Sequence, residues 1–325
     1  MVRPSTRKRS NRMVRFFARR AVSLVFVLFS LTFLTFLIGH LAPGDPILVL
    51  MGARRDPATY ARLQHLYGLD QPLLAQYGNY VLGLLRGDFG LSFQYEGRPV
   101  RELLRQGVGI SLTVGGLALV LSIVAGIPLG MLAALRQHSF ADRGIVGTAL
   151  VLYSVPSFVL IPVLWSINLA AYRAGLPNLP QAGWGRPEHV VLPVLVLAAA
   201  NVGYIIQLTR ASMLEVLRED YVRTARAKGL PAFLVFNRHV LRNAVLPLIT
   251  FVGPAAAFLV TGAFVVEVLF NIPGMGRIAV EAVGRRDYPV IQGTTIILGI
   301  AVVVMNLLSD VLYHVFDPRI QLSEG

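Results

Sequence analysis

Six long apolar blocks alternate with polar stretches marked by Pro and Gly. The first runs from Ala18 to about His40, with its apolar heart at Ala21–Ile38. The second is Val108–Leu135, with Gly126, Pro128 and Gly130 near one end, and the third, Ile145–Ala171, is broken by Pro156 and Pro162. His189–Leu208, Pro247–Phe270 with its Gly253-Pro254 pair, and Val290–Val315 complete the series. Each supplies about 20 residues, roughly 30 Å of helix, which is enough to cross a bilayer. The pattern predicts an all-α, polytopic membrane protein with six transmembrane helices and both termini on one side. Residues 41–106 are too interrupted to span. There Asp56-Pro57 reads as an N-cap with proline in the first turn, and Gly68 as the stop. Asp70 reads as the start of a second helix with Leu73, Tyr77, Tyr80 and Leu84 on one stripe. Gln76, Asn79 and Arg86 on that helix place it at the membrane interface instead of across it.

Composition supports the class and charge sets the orientation. The 325 residues are 55% hydrophobic and 14% charged, with mean hydropathy +0.63. A soluble domain would carry nearly twice that charged share. The net charge of +13 is clustered, with eight basic residues in positions 1–20 and seven from Arg210 to Arg242. Only two lie between the third and fourth blocks and three between the fifth and sixth. The excess marks cytosolic flanks facing anionic lipid, and it argues against nucleic acid as partner. Both termini are therefore expected in the cytosol. Residues 41–106 carry seven arginines against six acids, and a loop of that length weighs little in the count. The basic leader is not read as a signal peptide, because its apolar stretch is long and LAPGDP follows where a small-residue cleavage site would stand. The expected organisation is a basic cytoplasmic end (1–17), a first span (18–40), an extracytoplasmic helical segment (41–106) and a membrane domain (107–325) containing a cytoplasmic loop at 213–247.

Catalytic chemistry is missing from the pattern. There is no cysteine, and the two lysines, Lys8 and Lys228, do not follow phosphate-loop glycines. The six histidines are scattered without metal-ligand spacing, and no serine sits in a nucleophile elbow. The chain is therefore read as a non-enzyme that binds no cofactor or metal itself. Asp310 stands inside the last apolar block, where a carboxylate costs about 2.5–3.5 kcal/mol to insert and must face protein or water. It is a candidate pathway or gate residue, the alternative being a helix-end charge near the cytosol. Asn201, Gln207 and Asn306 are candidates of the same kind, the alternative being helix-bridging polar groups.

The most charged internal stretch is EVLREDYVRTARAKGLPAFLVFNRHVLRNAVLP, Glu215 to Pro247. It reads as two short helices around a break, since Gly229-Leu230-Pro231 supplies a left-handed cap followed by a residue that cannot continue the turn. Phe233, Phe236 and Val240 fall at helical spacing in the second piece, which is expected to end at Pro247. The order Ala225, three residues, Gly229 resembles the cytoplasmic EAA loop of ATP-binding-cassette importer permeases. The flanking DYVRTARAKG and RHVLRN resemble the dipeptide/oligopeptide permease subfamily. Arg223-Thr224 stands where the general pattern has Glu-Ala, and Arg242 where it has proline. APGDP near residue 43, LRGDFGLSF from Leu85 to Phe93, EVLFNIPGMGRI from Glu267 to Ile278, and FDPRI from Phe316 to Ile320 are similar to the same subfamily. The resemblance thus covers nearly all of the chain after the basic leader.

That resemblance implies a permease subunit of a binding-protein-dependent importer in a bacterial or archaeal cytoplasmic membrane. Peptides are the implied cargo, with nickel chelates or oligosaccharides as alternatives. A secondary transporter is a rival class, disfavoured by the lack of an internal repeat. The implied partners are a second, homologous permease, two ATPase subunits or domains that hold ATP and Mg, an extracytoplasmic solute-binding protein, and membrane lipid. The coupling helix would be Tyr221, Val222, Arg223, Thr224, Ala225, Arg226, Ala227, Lys228 and Gly229. Tyr221 and Val222 are expected as its apolar anchor, Arg223, Arg226 and Lys228 as its charge, and Ala225 and Gly229 as points of close approach. Glu267, Asn271, Pro273, Gly274 and Arg277 would form a loop facing the external receptor.

Overall fold

The computed structural model describes residues 6–41, 44–51, 56–95, 97–251, 253, 255 and 263–316. Among them helices dominate, and the only extended pairing is an isolated bridge between Leu91 and Pro99. The helices are α1 (Thr6–Leu41), α2 (Pro46–Met51), α3 (Pro57–Leu66), α4 (Leu73–Leu85), α5 (Val100–Leu135), α6 (Phe140–Ser154), α7 (Ser157–Arg173), α8 (Glu188–Leu217) and α9 (Asp220–Ala227). They continue with α10 (Ala232–Leu234), a π-helical turn (Val235–Leu241), α11 (Arg242–Ala244), α12 (Phe264–Leu269), α13 (Met275–Arg285) and α14 (Tyr288–Phe316).

Four of these helices are long and apolar enough to cross a membrane: Val22–Leu41 within α1, α5, α8, and Tyr288–Ser309 within α14. The predicted third span is broken at the first of its two prolines. It is two helices, α6 and α7, bent by 115° at Val155-Pro156, so it forms either a broken span or a re-entrant loop. Proline at the break removes a donor and disfavours α geometry in Val155 before it, whereas Pro162 is accommodated inside α7. Much of the predicted fifth span, including Pro254, lies outside the described residues, so the described helices do not add up to the six expected.

The chain divides into two compact units, Met1–Arg105 with Ile278–Val303, and Gln106–Arg277 with Val304–Gly325. In the first, α4 lies on α1 through Tyr77, whose ring meets Phe29, Phe33 and Phe36 and whose hydroxyl is 3.1 Å from the Thr32 hydroxyl. Asp56 caps α3 as expected, accepting from the amides of Ala58 and Thr59 and from the Thr59 hydroxyl. These bonds, the hydroxyl's first, hold its carboxyl below the ordinary carboxylate range. Gly68 follows with φ +66°. Asp70 does not start α4: Pro72 occupies the cap position, and Asp70 instead accepts from the His65 ring at 2.8 Å. Buried Asp287 ties the 92–94 turn to the head of α14, accepting from the Ser92 hydroxyl (2.5 Å) and the amides of Phe93, Gln94 and Val290.

The second unit is built around α8, the most buried of the spanning helices. Small residues let its neighbours approach. A Cβ on Gly130 of α5 would lie 2.7 Å from the Ile206 carbonyl oxygen, and one on Gly203 of α8 would lie 2.4 Å from that of Ala149 in α6. Val114, Ala118, Ile161, Leu192, Val196, Val266 and Phe270 form its main apolar core.

Candidate functional site

At the far end of α8 a second apolar cluster organises the Glu215–Pro247 stretch. Met213 and Val216 of α8, Val222 and Ala225 of α9, Val235 and Val240 of the π turn, and Ala244 of α11 are all buried together, with Ala134 of α5. The stretch is therefore a folded platform and not a loose loop. Val222 and Ala225 are three positions apart and share one helix face, which places both against Val235 and Val240. This corrects the expected roles of two residues. Val222 is wholly buried and Ala225 only 5% exposed, so neither is an outward contact, and the small Ala225 side chain serves packing within the chain.

What α9 leaves exposed is Asp220, Tyr221, Arg223, Thr224, Arg226 and Ala227, followed by Lys228 and Gly229. Arg223 pairs with Asp220 at 3.2 Å in a fully solvated setting that contributes little stability. The face is basic and free of bulky aliphatics. Gly229 has φ +74°, and the Leu230 amide reaches back to the Ala225 carbonyl, so the break forms where the Gly-Leu-Pro pattern put it. A Cβ on Gly229 would meet nothing within 4 Å, so the glycine is required there by its backbone angle and not by crowding within this chain. Beside the start of α9 an open recess of about 710 Å³ is lined by Arg210, Leu214, Glu215, Arg218, Glu219 and Asp220.

The second half of the stretch departs from expectation. Phe233 is exposed, Val240 is buried, and Val235–Leu241 winds as a π-helix, which has no signature in an apolar periodicity of three to four. Helix resumes at 246–251, so Pro247 lies within a helical stretch and does not end the piece. Asn243 closes the RHVLRN wording, and its amide donates both to the Tyr221 hydroxyl (2.9 Å) and to the His239 carbonyl (3.1 Å).

One turn before the apolar cluster, α8 is tied to α6 by an ion pair that the sequence pattern does not reveal. Arg210 of α8 grips Asp142 of α6 with two bonds, at 2.6 and 2.8 Å, and Asp142 also accepts the amide of His138. Asp142 sits three residues after the Ser139 N-cap, and that capping pattern is the one local signal for it.

The EVLFNIPGMGRI turn forms a second organised region, and its exposure differs from expectation. Glu267 is fully buried, accepting from the Ser111 hydroxyl (2.5 Å) and from the amides of Gly276 (2.7 Å) and Arg277 (3.2 Å). The Met275 amide donates to the same serine oxygen at 2.8 Å. Gly274 is buried too, and a Cβ there would stand 2.3 Å from the Glu267 carboxyl carbon. Glu267 and Gly274 are therefore corrected from receptor-facing to internal: they shape the turn. Asn271, at φ +55°, and Pro273 are exposed at its apex, and Arg277 bonds Asn271.

The remaining candidates are not gathered into one site. Asn201 is buried on α8 with its amide 3.4 Å from the carbonyl of Leu197 in its own helix, and Gln207 is half-buried on the same helix. Asn306 is exposed on α14 beside exposed Val304 and Leu308. The side chain of Asp310 lies outside the described residues. Among the described residues no group of His, Cys, Asp and Glu could hold a metal ion.

With this geometry in place, comparison with known proteins settles the family. Residues 126–322 match the model of the binding-protein-dependent transport system inner membrane component, and residues 13–96 match that of its N-terminal part. The chain belongs to this family. It is 38% identical over 312 residues to the dipeptide transport system permease protein DppB of Bacillus subtilis (strain 168), covering 96% of this chain and 99% of that one. It is 37% identical over 337 residues to the same-named protein of Escherichia coli (strain K12), covering 95% and 99%. The resemblance to peptide permeases read from the DYVRTARAKG and RHVLRN wording is thus borne out. Among solved structures, inward facing conformations of the MetNI methionine ABC transporter align with a TM-score of 0.55 at 18% identity, covering 66% of this permease and 97% of that chain. That likeness concerns the fold alone.

Proposed function

We propose that this permease is one membrane subunit of an importer for di- or oligopeptides, driven by ATP hydrolysed on partner subunits. The observation that carries the reading is end-to-end similarity to dipeptide permeases, joined to the exposed basic face of α9. The partners in this reading are two ATPase units, a second homologous permease and an extracytoplasmic peptide-binding protein, with both termini in the cytosol. An ATPase surface groove would take up Tyr221, Arg223, Arg226, Ala227 and Lys228. Nucleotide-driven closure would then displace α9, and the apolar cluster beneath it would pass the movement to α8. The exposed apex at Asn271 and Pro273 is the part of the outer turn available to the receptor.

The test is uptake of a radiolabelled dipeptide into proteoliposomes holding the complete importer. Uptake that requires ATP and survives collapse of the proton gradient supports the reading. Uptake that persists without ATP and stops with the gradient overturns it in favour of a secondary transporter. Mass spectrometry of the ligand retained by the receptor identifies the cargo.

A further inference from the structure

The face that α9 offers to a partner and the helix beyond the π turn are joined by one side chain. Asn243 of α11 donates one amide hydrogen to the Tyr221 hydroxyl at 2.9 Å and the other to the His239 carbonyl at 3.1 Å. Tyr221 is on the exposed side of α9, 40% accessible, whereas His239 belongs to the π turn. Both hydrogens of the Asn243 amide are therefore used, and both bonds cross between local elements. Beneath this bridge Val222 and Ala225 pack on Val235 and Val240, so α9 and the π turn also share an apolar contact.

A π turn is a rare device. Its amides bond five residues back where an α-helix bonds four, and it costs more than α geometry unless its surroundings hold it. Here three features hold it. The Asn243 side-chain amide donates to the His239 carbonyl, four residues back within the turn. The Ser212 hydroxyl of α8 donates to the Ala244 carbonyl at 2.9 Å, beyond the turn's end. The Val235–Val240 pair is pinned against α9. Release of the first would let the turn relax by one hydrogen-bond register. A shift of one residue moves the downstream helix by about 1.5 Å along the axis and about 100° around it. That downstream helix, at 246–251, enters the predicted fifth span.

We propose that Asn243 is the positioning residue that couples α9 to the π turn: displacement of Tyr221 by the ATPase is carried through the Asn243 amide to the His239 carbonyl and changes the register of the helix beyond. The inference rests on the importer reading above, and adds which side chain transmits the stroke. A mere packing role would require only a side chain of similar volume, whereas transmission requires the amide donors.

The test uses the complete reconstituted importer and reads dipeptide uptake per ATP hydrolysed, with melting temperature measured beside it. For Asn243→Leu, which keeps the volume and removes the donors, uptake per ATP is expected to fall about tenfold with melting within about 2 °C of the parent. Tyr221→Phe, which removes the acceptor alone, should lower the ratio in the same direction, and the double variant should be no worse than Asn243→Leu. Asn243→Gln should recover part of the ratio. An unchanged ratio in Asn243→Leu overturns the proposal, as does a loss of uptake that tracks a lowered melting temperature. Absence of ATP-driven uptake by the parent complex overturns the importer reading itself, a distinct outcome.

Discussion

Replacing Arg210 by leucine is expected to lower the stability of the second unit by about 1–3 kcal/mol, the cost of taking a charged hydrogen-bond partner from a carboxylate. Asp142 has a side chain only 5% exposed and takes two bonds from the Arg210 guanidinium, at 2.6 and 2.8 Å. Leucine leaves that carboxylate with the His138 amide alone between α6 and α8. Arg210 is itself 26% exposed, so water entering its place puts the effect at the lower end of the range. The double variant Asp142→Asn with Arg210→Met removes both charges and keeps an acceptor for the His138 amide, and should recover most of the loss. Thermal unfolding of the purified permease in detergent is the measurement. Melting of the Arg210→Leu variant indistinguishable from the parent would show that the pair contributes nothing.

Replacing Gly229 by leucine is expected to reduce uptake at least about tenfold, equivalent to about 1.4 kcal/mol of lost docking free energy, while membrane insertion and protein level stay normal. Two features set this outcome. At φ +74° an L side chain costs about 1–2 kcal/mol locally, which the exposed end of α9 can absorb without unfolding α8. A side chain there meets nothing in this chain, so any further loss reports on a partner's surface. Gly229→Asn separates the two terms, because asparagine tolerates the left-handed backbone. If asparagine fails as leucine does, bulk is at fault and a partner lies close; if asparagine restores uptake, the left-handed backbone angle is at fault. If leucine transports normally at normal protein level, no partner approaches Gly229 in the working complex. Uptake in cells, normalised to membrane-inserted protein, is the readout.

The parts of the fold legible in the sequence are those governed by neighbours in the chain. The Asp56-Pro57 cap, the Gly68 stop, the Gly229-Leu230-Pro231 break and the apolar blocks behind α1, α5, α8 and α14 each depend on a few consecutive residues or one helical period. The illegible parts depend on pairs far apart. Asp142 and Arg210 are 68 positions apart, and Ser111 and Glu267 are 156 apart, and no periodicity links them. A carboxylate beside a Pro/Gly turn ordinarily faces water, and by that rule Glu267 reads as outward. Burial is possible only because Ser111 and two turn amides replace that water, and because Gly274 leaves it room. Val222 and Ala225 read as outward when docking chemistry alone is weighed. In a helix otherwise so polar, they are the residues with most to gain from an inward face. The bend at Pro156 is marked by its proline, but neither its size, 115°, nor the packing of α6 on α8 is written in neighbouring residues.

Power is expected to reach this permease through the exposed face of α9. A cysteine placed at Ala227, which is exposed and followed by Lys228 and Gly229, tests it directly in an assembled importer shown to transport. The account predicts a crosslink to the ATPase subunit that forms in good yield and whose formation blocks uptake until the bond is reduced. No crosslink to an ATPase from Ala227, nor from the neighbouring Arg226, in a complex that transports normally would contradict it.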